Sequence, residues 1–93
     1  MPNVYTRRKS GGIGSITTNS STYSPLAAQI ASRVIIQNAA TGSVALTVQQ
    51  DGAGSVLPIP AGGSFTLEGL SNASQIAILA TTGTPAVAYR WEH

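Results

Sequence analysis

The chain has 93 residues, of which only 9% are charged, and its five Lys or Arg and three Asp or Glu give a formal net charge of +2. This length allows one domain. With no cysteine and one histidine, the composition excludes a disulfide framework and nearly excludes a structural zinc site. A chain this short buries only about 60% of its unfolded surface, so we expect it to gain stability by oligomerising or by docking on a larger partner.

The first predicted unit is an extended or flexible N-terminal arm over residues 1–28. Its apolar residues are too scattered for a helix face, and Gly, Ser, Thr and Asn dominate it. The Gly11-Gly12-Ile13-Gly14 run indicates a linker, since a phosphate-binding loop needs a strand before it and a Gly-Lys-Ser/Thr ending. One short strand is predicted near residues 15–22. Deletion of the whole arm is expected to leave the rest folded.

The second predicted unit is a β-sandwich body over residues 29–93. From Ala31 onward the apolar residues recur with a period of two, which is typical of half-buried strands. Such residues predict six strands, around Val34 and Ile36, Val44 to Val48, Leu57 and Ile59, Phe65 and Leu67, Ile76 and Ile78, and Val87 to Trp91.

The turn signals between these strands favour antiparallel pairing. Asp51-Gly52 is the clearest of them, because glycine tolerates the positive φ of tight turns. Pro58 confines its segment to a sheet edge or a bulge. The sequence therefore predicts an all-β fold, a small antiparallel β-sandwich or a jelly-roll-like barrel, with no convincing helix.

The acidic residues give little support to an enzyme. Asp51, Glu68 and Glu92 are far apart in sequence, and the single histidine is the last residue. A glycosidase-type pair of carboxylates stays an open alternative. Arg33 and Arg90 are expected either to pair with these acids or to face solvent. We expect no catalytic residue, no metal and no cofactor.

The residues most suited to binding a partner lie on the arm. Arg7, Arg8 and Lys9 form the one charge cluster, which is either a hook for phosphates or acidic protein or a solvated terminus. Tyr5 and Tyr23 are candidate anchors, because an aromatic on an extended segment gains from burial in a partner. The high calculated pI depends on few groups, so nucleic acid is not the expected partner. No run is apolar enough to span a membrane.

The aromatic residues of the body have two readings. Tyr89 and Trp91 share one strand face with Val87, which predicts that they are the large residues of the core. The alternative is a stacking platform for sugars or bases that also uses Phe65.

One series of segments carries a resemblance. It consists of residues 32–38 (Ser-Arg-Val-Ile-Ile-Gln-Asn), 56–60, 61–67 (Ala-Gly-Gly-Ser-Phe-Thr-Leu), 76–84 and 87–91. This order of strands and turns, over about residues 32–91, resembles small β-sandwich virion proteins of tailed bacteriophages. The resemblance implies a compact β-body with an extended arm that lies over a neighbouring subunit, and it carries no catalytic residue over.

The resulting expectation is a structural virion protein, a capsid decoration or cement protein that binds the major capsid protein and stabilises the head shell. It would be made in the host cytoplasm, lie on the capsid surface and form a homo-oligomer, a trimer or a dimer. Its apolar positions would be buried against copies of itself, among them Ile35, Ala45, Ala77 and Leu79. The alternatives are a neck, tail or fibre component and a carbohydrate-binding β-sandwich module.

Overall fold

The computed structural model describes residues 11–38, 44–52 and 56–93. Within these ranges the chain forms two packed antiparallel sheets of four strands each, which confirms the predicted all-β sandwich. Sheet I has the strand order β1-β8-β3-β6, and sheet II has the order β2-β7-β4-β5. The strands are β1 (Gly11–Thr17), β2 (Ser24–Pro25), β3 (Arg33–Gln37), β4 (Leu46–Gln50), β5 (Val56–Ile59), β6 (Ser64–Glu68), β7 (Ile76–Ala80) and β8 (Ala86–Glu92).

The core lies between the sheets and is built from alternate residues of each strand. Val34 and Ile36 of β3 are fully buried, and the residues on either side of them face outward. The same alternation in β4, β7 and β8 confirms the period-two prediction for these strands. The buried apolar residues are Leu26, Ala31, Val34, Ile36, Leu46, Val48, Ile59, Leu70, Ala73, Ile76, Ile78, Ala80, Val87 and Tyr89.

Residues 11–28 are part of the sandwich and not of a separate arm. β1 pairs with β8 along its whole length, and β2 pairs with β7. Leu26 is buried in the core, and the fully buried Thr18 donates both its backbone N–H and its Oγ1 to the Pro85 carbonyl, at 3.0 and 2.9 Å. The predicted boundary at residue 28 is therefore corrected for residues 11–28. Residues 1–10 of the predicted arm lie outside the described residues.

Aromatic rings of β8 explain why a glycine-rich segment becomes a strand. Gly12 lies opposite Trp91 and Gly14 lies opposite Tyr89 on the inner face of sheet I. A Cβ built on Gly14 would lie 2.7 Å from Cζ and Oη of Tyr89, so the ring occupies the space that a side chain would fill. The linker interpretation of residues 11–14 is wrong, because a ring supplied by another strand replaces the packing that glycine lacks.

Asn38 is a buried polar residue that joins the two sheets at the end of β3. Its Nδ2 donates to the carbonyl oxygens of Val44 and Ile59, at 3.1 and 3.0 Å. Its backbone N–H donates to the Gly63 carbonyl at 2.8 Å, and its own carbonyl accepts from the N–H of Gly62 at 2.7 Å. One residue thus fixes the segment before β4, the end of β5 and the β5–β6 turn relative to β3.

Turns and edges follow the sequence signals closely. Asp51 and Gly52 both have positive φ, 56° and 66°, as the predicted turn requires. β5, which contains Pro58, is an edge strand of sheet II, as predicted. A short 3-10 turn at Ala73–Gln75 precedes β7. None of the helical structure in the described ranges is long and apolar enough to cross a membrane.

Candidate functional site

The structure describes one of the five residues predicted to bind a partner. Tyr5, Arg7, Arg8 and Lys9 lie outside the described residues. Tyr23 is half-buried immediately before β2, the two-residue edge strand of sheet II. The role of these five residues in binding a partner therefore stays a prediction.

The charged side chains of sheet I form a network at one end of its outer face. The register places Arg33 opposite both Glu68 on β6 and Glu92 on β8. Arg33 donates to Oε1 of Glu92 from Nε at 3.0 Å and from Nη2 at 2.6 Å, and its Nη1 lies 3.5 Å from Oε2 of Glu68. Arg90 Nε donates to Oε2 of Glu92 at 3.1 Å. Of the two alternatives for Arg33 and Arg90, the structure shows the pairing with acids.

The third acid has a different partner. Asp51 accepts two hydrogen bonds from Nε2 of Gln75, at 3.0 and 3.2 Å. This contact ties the turn after β4 to the segment before β7, and the Asp51 N–H donates to the Gln75 carbonyl at 2.8 Å. Asp51 is thus part of a structural contact between neighbouring strands of sheet II.

The network controls the protonation of Glu92. Hydrogen bonds from Arg33 and then from Arg90 hold the pKa of the Glu92 carboxyl below its ordinary value. A carboxyl that acts as a general acid needs a raised pKa, so this environment suits an ion pair and not acid catalysis. The described residues also contain no group of three or more His, Cys, Asp or Glu that could hold a metal ion.

Replacing Glu92 by Gln is expected to reduce the loss of unfolding free energy that the protein undergoes as the pH falls. Because the folded-state pKa of Glu92 is lowered, its contribution is fully present above the unfolded-state pKa and is lost as pH falls through the folded-state value. The variant should be less stable than the wild type at pH 7, and the difference should shrink below about pH 4.3. Urea unfolding at several pH values measures this difference.

The matched control for Glu92 is Glu68→Gln. Glu68 contacts the same arginine at a longer distance, and its side chain is 68% exposed against 20% for Glu92. Glu68→Gln should therefore change the pH dependence of the free energy of unfolding less than Glu92→Gln does. An equal difference between wild type and Glu92→Gln at all pH values would contradict the ion-pair account.

The large aromatic side chains are divided between the core and an opening. Tyr89 is 6% exposed, and the half-buried Trp91 packs against the core, which confirms the prediction that both are core residues. Phe65 lies opposite Ile36 and so faces the interior, yet it is 39% exposed because β6 is the last strand of sheet I.

An apolar opening separates the sheets at the edge formed by β5 and β6. Phe65 and Leu67 of β6 line it from sheet I, while Val48 and Leu57 line it from sheet II. Its volume is about 380 Å³. An apolar concavity of this size accepts a side chain or a short apolar segment of a partner.

The outer face of sheet II has a different character, because the described residues of its strands place no charged side chain there. Ala77, Leu79 and Thr47 are half-buried there, next to the exposed Pro58. The outward positions of the described strands, which alternate with the core residues, are Pro25, Thr47, Gln49, Pro58, Ala77 and Leu79. We call this set the uncharged face.

The most exposed large apolar residues are not those that the sequence indicated. Ile35, Ala45, Ala77 and Leu79 are half-buried by their neighbours. In the described part of the chain the exposed ones are Ile13 at 77%, Ile30 at 65% and Phe65 at 39%. The sequence pattern does not indicate Ile13 as a surface residue of the sandwich, because it places residues 11–17 in the arm. One signal is present in the sequence: the Gly-x-Gly spacing around Ile13 matches the Tyr-x-Trp spacing of β8.

The described surface therefore divides into a charged region on sheet I and uncharged or apolar regions on sheet II and at the β5–β6 edge. The charged groups of sheet I neutralise one another, and the uncharged face offers surface that a partner can cover without desolvating an ion pair. The apolar opening adds apolar surface beside it, with Glu68, an ion-pair partner of Arg33, in its lining. Comparison of the chain with protein-family models and with curated proteins finds no match.

Proposed function

We propose that the protein is a structural virion protein of a tailed bacteriophage, a decoration or cement protein that binds the major capsid protein on the capsid surface and stabilises the head shell. The sequence resemblance over residues 32–91 is the reason for placing it in a phage particle. The observation that carries the assembly role is the uncharged face of sheet II beside the apolar opening at β5 and β6.

The physical character of this surface suits a repetitive scaffold. Charged residues are depleted from the centres of protein interfaces, since desolvating a charge costs free energy. The uncharged face has no such cost, and its Leu79 and Ala77 are already half-buried. A homo-oligomer, a trimer or a dimer, would present several copies of the face at once. Contacts that are individually weak would then give a high overall affinity for the shell.

Purified head shells with and without the protein provide the test. We expect copies to bind in a fixed ratio to the capsid subunits and to raise the temperature at which the shells open. A fixed, low copy number at one vertex would instead identify a neck, tail or fibre component. Shells that bind no protein and open at an unchanged temperature would overturn the proposal.

Two matched substitutions locate the contact on the sandwich. Thr47→Lys places a charge at the centre of the uncharged face, and Gln37→Lys places the same charge on the outer face of sheet I. Burying an unpaired charge is unfavourable, so Thr47→Lys should weaken shell binding about tenfold or more, whereas Gln37→Lys should not. Equal effects would exclude the uncharged face as the contact.

The predicted contacts of Tyr5, Arg7, Arg8 and Lys9 need a separate variant. Deletion of residues 1–28 would also remove β1, β2 and the buried Leu26, so the informative deletion ends at residue 10. We expect this shorter deletion to abolish shell binding while the sandwich stays folded. The carbohydrate-binding alternative uses Tyr89 and Trp91 together with Phe65. Tyr89 and Trp91 lie on the inner face of sheet I and pack in or against the core, which does not favour a stacking platform, although Phe65 is 39% exposed.

A further inference from the structure

The four outermost strands of the sandwich differ in how they block further pairing. Natural sheet edges are protected from other chains by proline, by charge or by short strand length. β2 is two residues long and contains Pro25, β5 contains Pro58, and β6 ends in Glu68. β1 has none of these protections, because its seven residues, Gly-Gly-Ile-Gly-Ser-Ile-Thr, include no proline and no charge.

The backbone of β1 points a full set of hydrogen-bonding groups outward. The Thr18 N–H donates to Pro85 and so continues the β1–β8 ladder by one residue pair. Because backbone groups alternate in direction along an antiparallel strand, residues 12, 14 and 16 also bond to β8. Residues 11, 13, 15 and 17 therefore direct their N–H and C=O groups to the side on which no described strand pairs.

Ile13 adds an apolar side chain to this edge. It lies on the outer face of sheet I opposite Arg90 and is the most exposed of the large apolar residues described, at 77%. An apolar side chain so exposed on an unprotected edge strand is typical of a site that another strand covers.

We propose that β1 pairs antiparallel with β1 of a second copy, so that the two copies of sheet I form one continuous sheet. A two-fold axis near Gly14 puts residue 11 opposite residue 17 of the second copy, and residue 13 opposite residue 15. All of these residues direct backbone groups to the edge. Each of the resulting pairs can exchange two hydrogen bonds.

The side chains of β1 also suit pairing with themselves. The strand is uncharged, so a two-fold arrangement brings no like charges together on either face. The two Ile13 side chains become diagonal neighbours across the axis and cover one another. On the inner face Gly14 meets Gly14 of the second copy, beneath the Tyr89 rings that already pack on them. A second copy of this chain is therefore the partner that the edge fits best.

Concentration-dependent mass and amide hydrogen exchange test the pairing. We expect light scattering to give about twice the chain mass of 9.5 kDa at high micromolar concentration. The amides of Ile13, Ser15 and Thr17 should be protected from exchange in the dimer and should lose protection on dilution. The amides of Gly12, Gly14 and Ile16, which bond to β8, should stay protected throughout.

A pair of proline substitutions separates edge blocking from unfolding. Ser15→Pro removes an edge-facing N–H of β1 and leaves the β1–β8 hydrogen bonds in place. Ser64→Pro is the matched control on β6: the Asn38 N–H donates to Gly63, so the Ser64 N–H also points away from its neighbouring strand. Ser15→Pro should weaken dimerisation about tenfold or more, and Ser64→Pro should leave it unchanged.

Three results would overturn the proposal. They are a wild type that stays monomeric, a dimer that Ser15→Pro does not weaken, and a chain that dimerises only after deletion of residues 1–10, which would show that its own N-terminal segment covers β1. The inference is independent of the capsid proposal, because a β1-paired dimer that binds no shell contradicts only the latter.

Discussion

Replacing Asn38 by Ala is expected to lower the free energy of unfolding by about 2–4 kcal/mol. The substitution removes both hydrogen bonds from Nδ2 and leaves the carbonyl oxygens of Val44 and Ile59 without this donor. Asn38 is 2% exposed, so water cannot replace the amide without rearrangement. Urea or guanidinium unfolding followed by tryptophan fluorescence measures the loss.

Two further variants show whether the hydrogen bonds or the volume matter. Asn38→Asp keeps the shape but replaces the donor by a carboxylate that faces two carbonyl oxygens, so it should be at least as destabilising as Asn38→Ala at pH 7. Burial among acceptors raises the pKa of this new carboxyl, so acidification should restore part of the stability. Gln37→Ala, at the exposed neighbouring position, should change the free energy of unfolding little. If Asn38→Asp left the free energy of unfolding unchanged at pH 7, the proposed role of Asn38 as a hydrogen-bond donor would be contradicted.

Replacing Gly14 by Val is expected to destabilise the protein by about 1–3 kcal/mol. The new Cβ would lie 2.7 Å from the Tyr89 ring, and this ring is buried in the core, so it cannot move aside freely. Ser15→Val is the matched control, because it adds the same side chain to the next residue on the exposed outer face, where strands favour valine. Thermal and chemical unfolding of both variants give the comparison.

A double substitution tests whether the clash with Tyr89 is the cause. Tyr89→Leu alone removes the ring and leaves a cavity. When Gly14→Val is combined with it, the new valine would fill part of that space, so the destabilisation of the double variant should fall short of the sum of the singles by about 1 kcal/mol or more. Additive effects would show that Gly14 is needed for a reason other than contact with this ring.

The fold of residues 29–93 could be predicted because its information is local. Alternation of apolar residues in β3, β4, β7 and β8 reports which face each strand buries. Pro58 marks an edge, and Asp51-Gly52 marks a turn, through properties of single residues. Each signal could be interpreted without knowledge of any distant contact.

β1 could not be predicted in this way because its packing is supplied from the other end of the chain. Glycine in a strand usually indicates flexibility, and only the register with β8 shows that Tyr89 and Trp91 cover Gly14 and Gly12. The same limit applies to the surface. The sequence leaves Arg33 either paired with an acid or facing solvent, and only the register places it opposite both Glu68 and Glu92, with which it forms ion pairs.

The pairing of β1 with β8 also limits how the polypeptide can fold during its synthesis. The first and last described strands are adjacent in sheet I, with Gly11 opposite Glu92. Residues 86–92 must therefore leave the ribosome before β1 finds its neighbour, so sheet I is completed only after β8 has been synthesised. Until then Tyr89 is unavailable to cover Gly14, and the nascent N-terminal segment carries both of its strand edges unpaired.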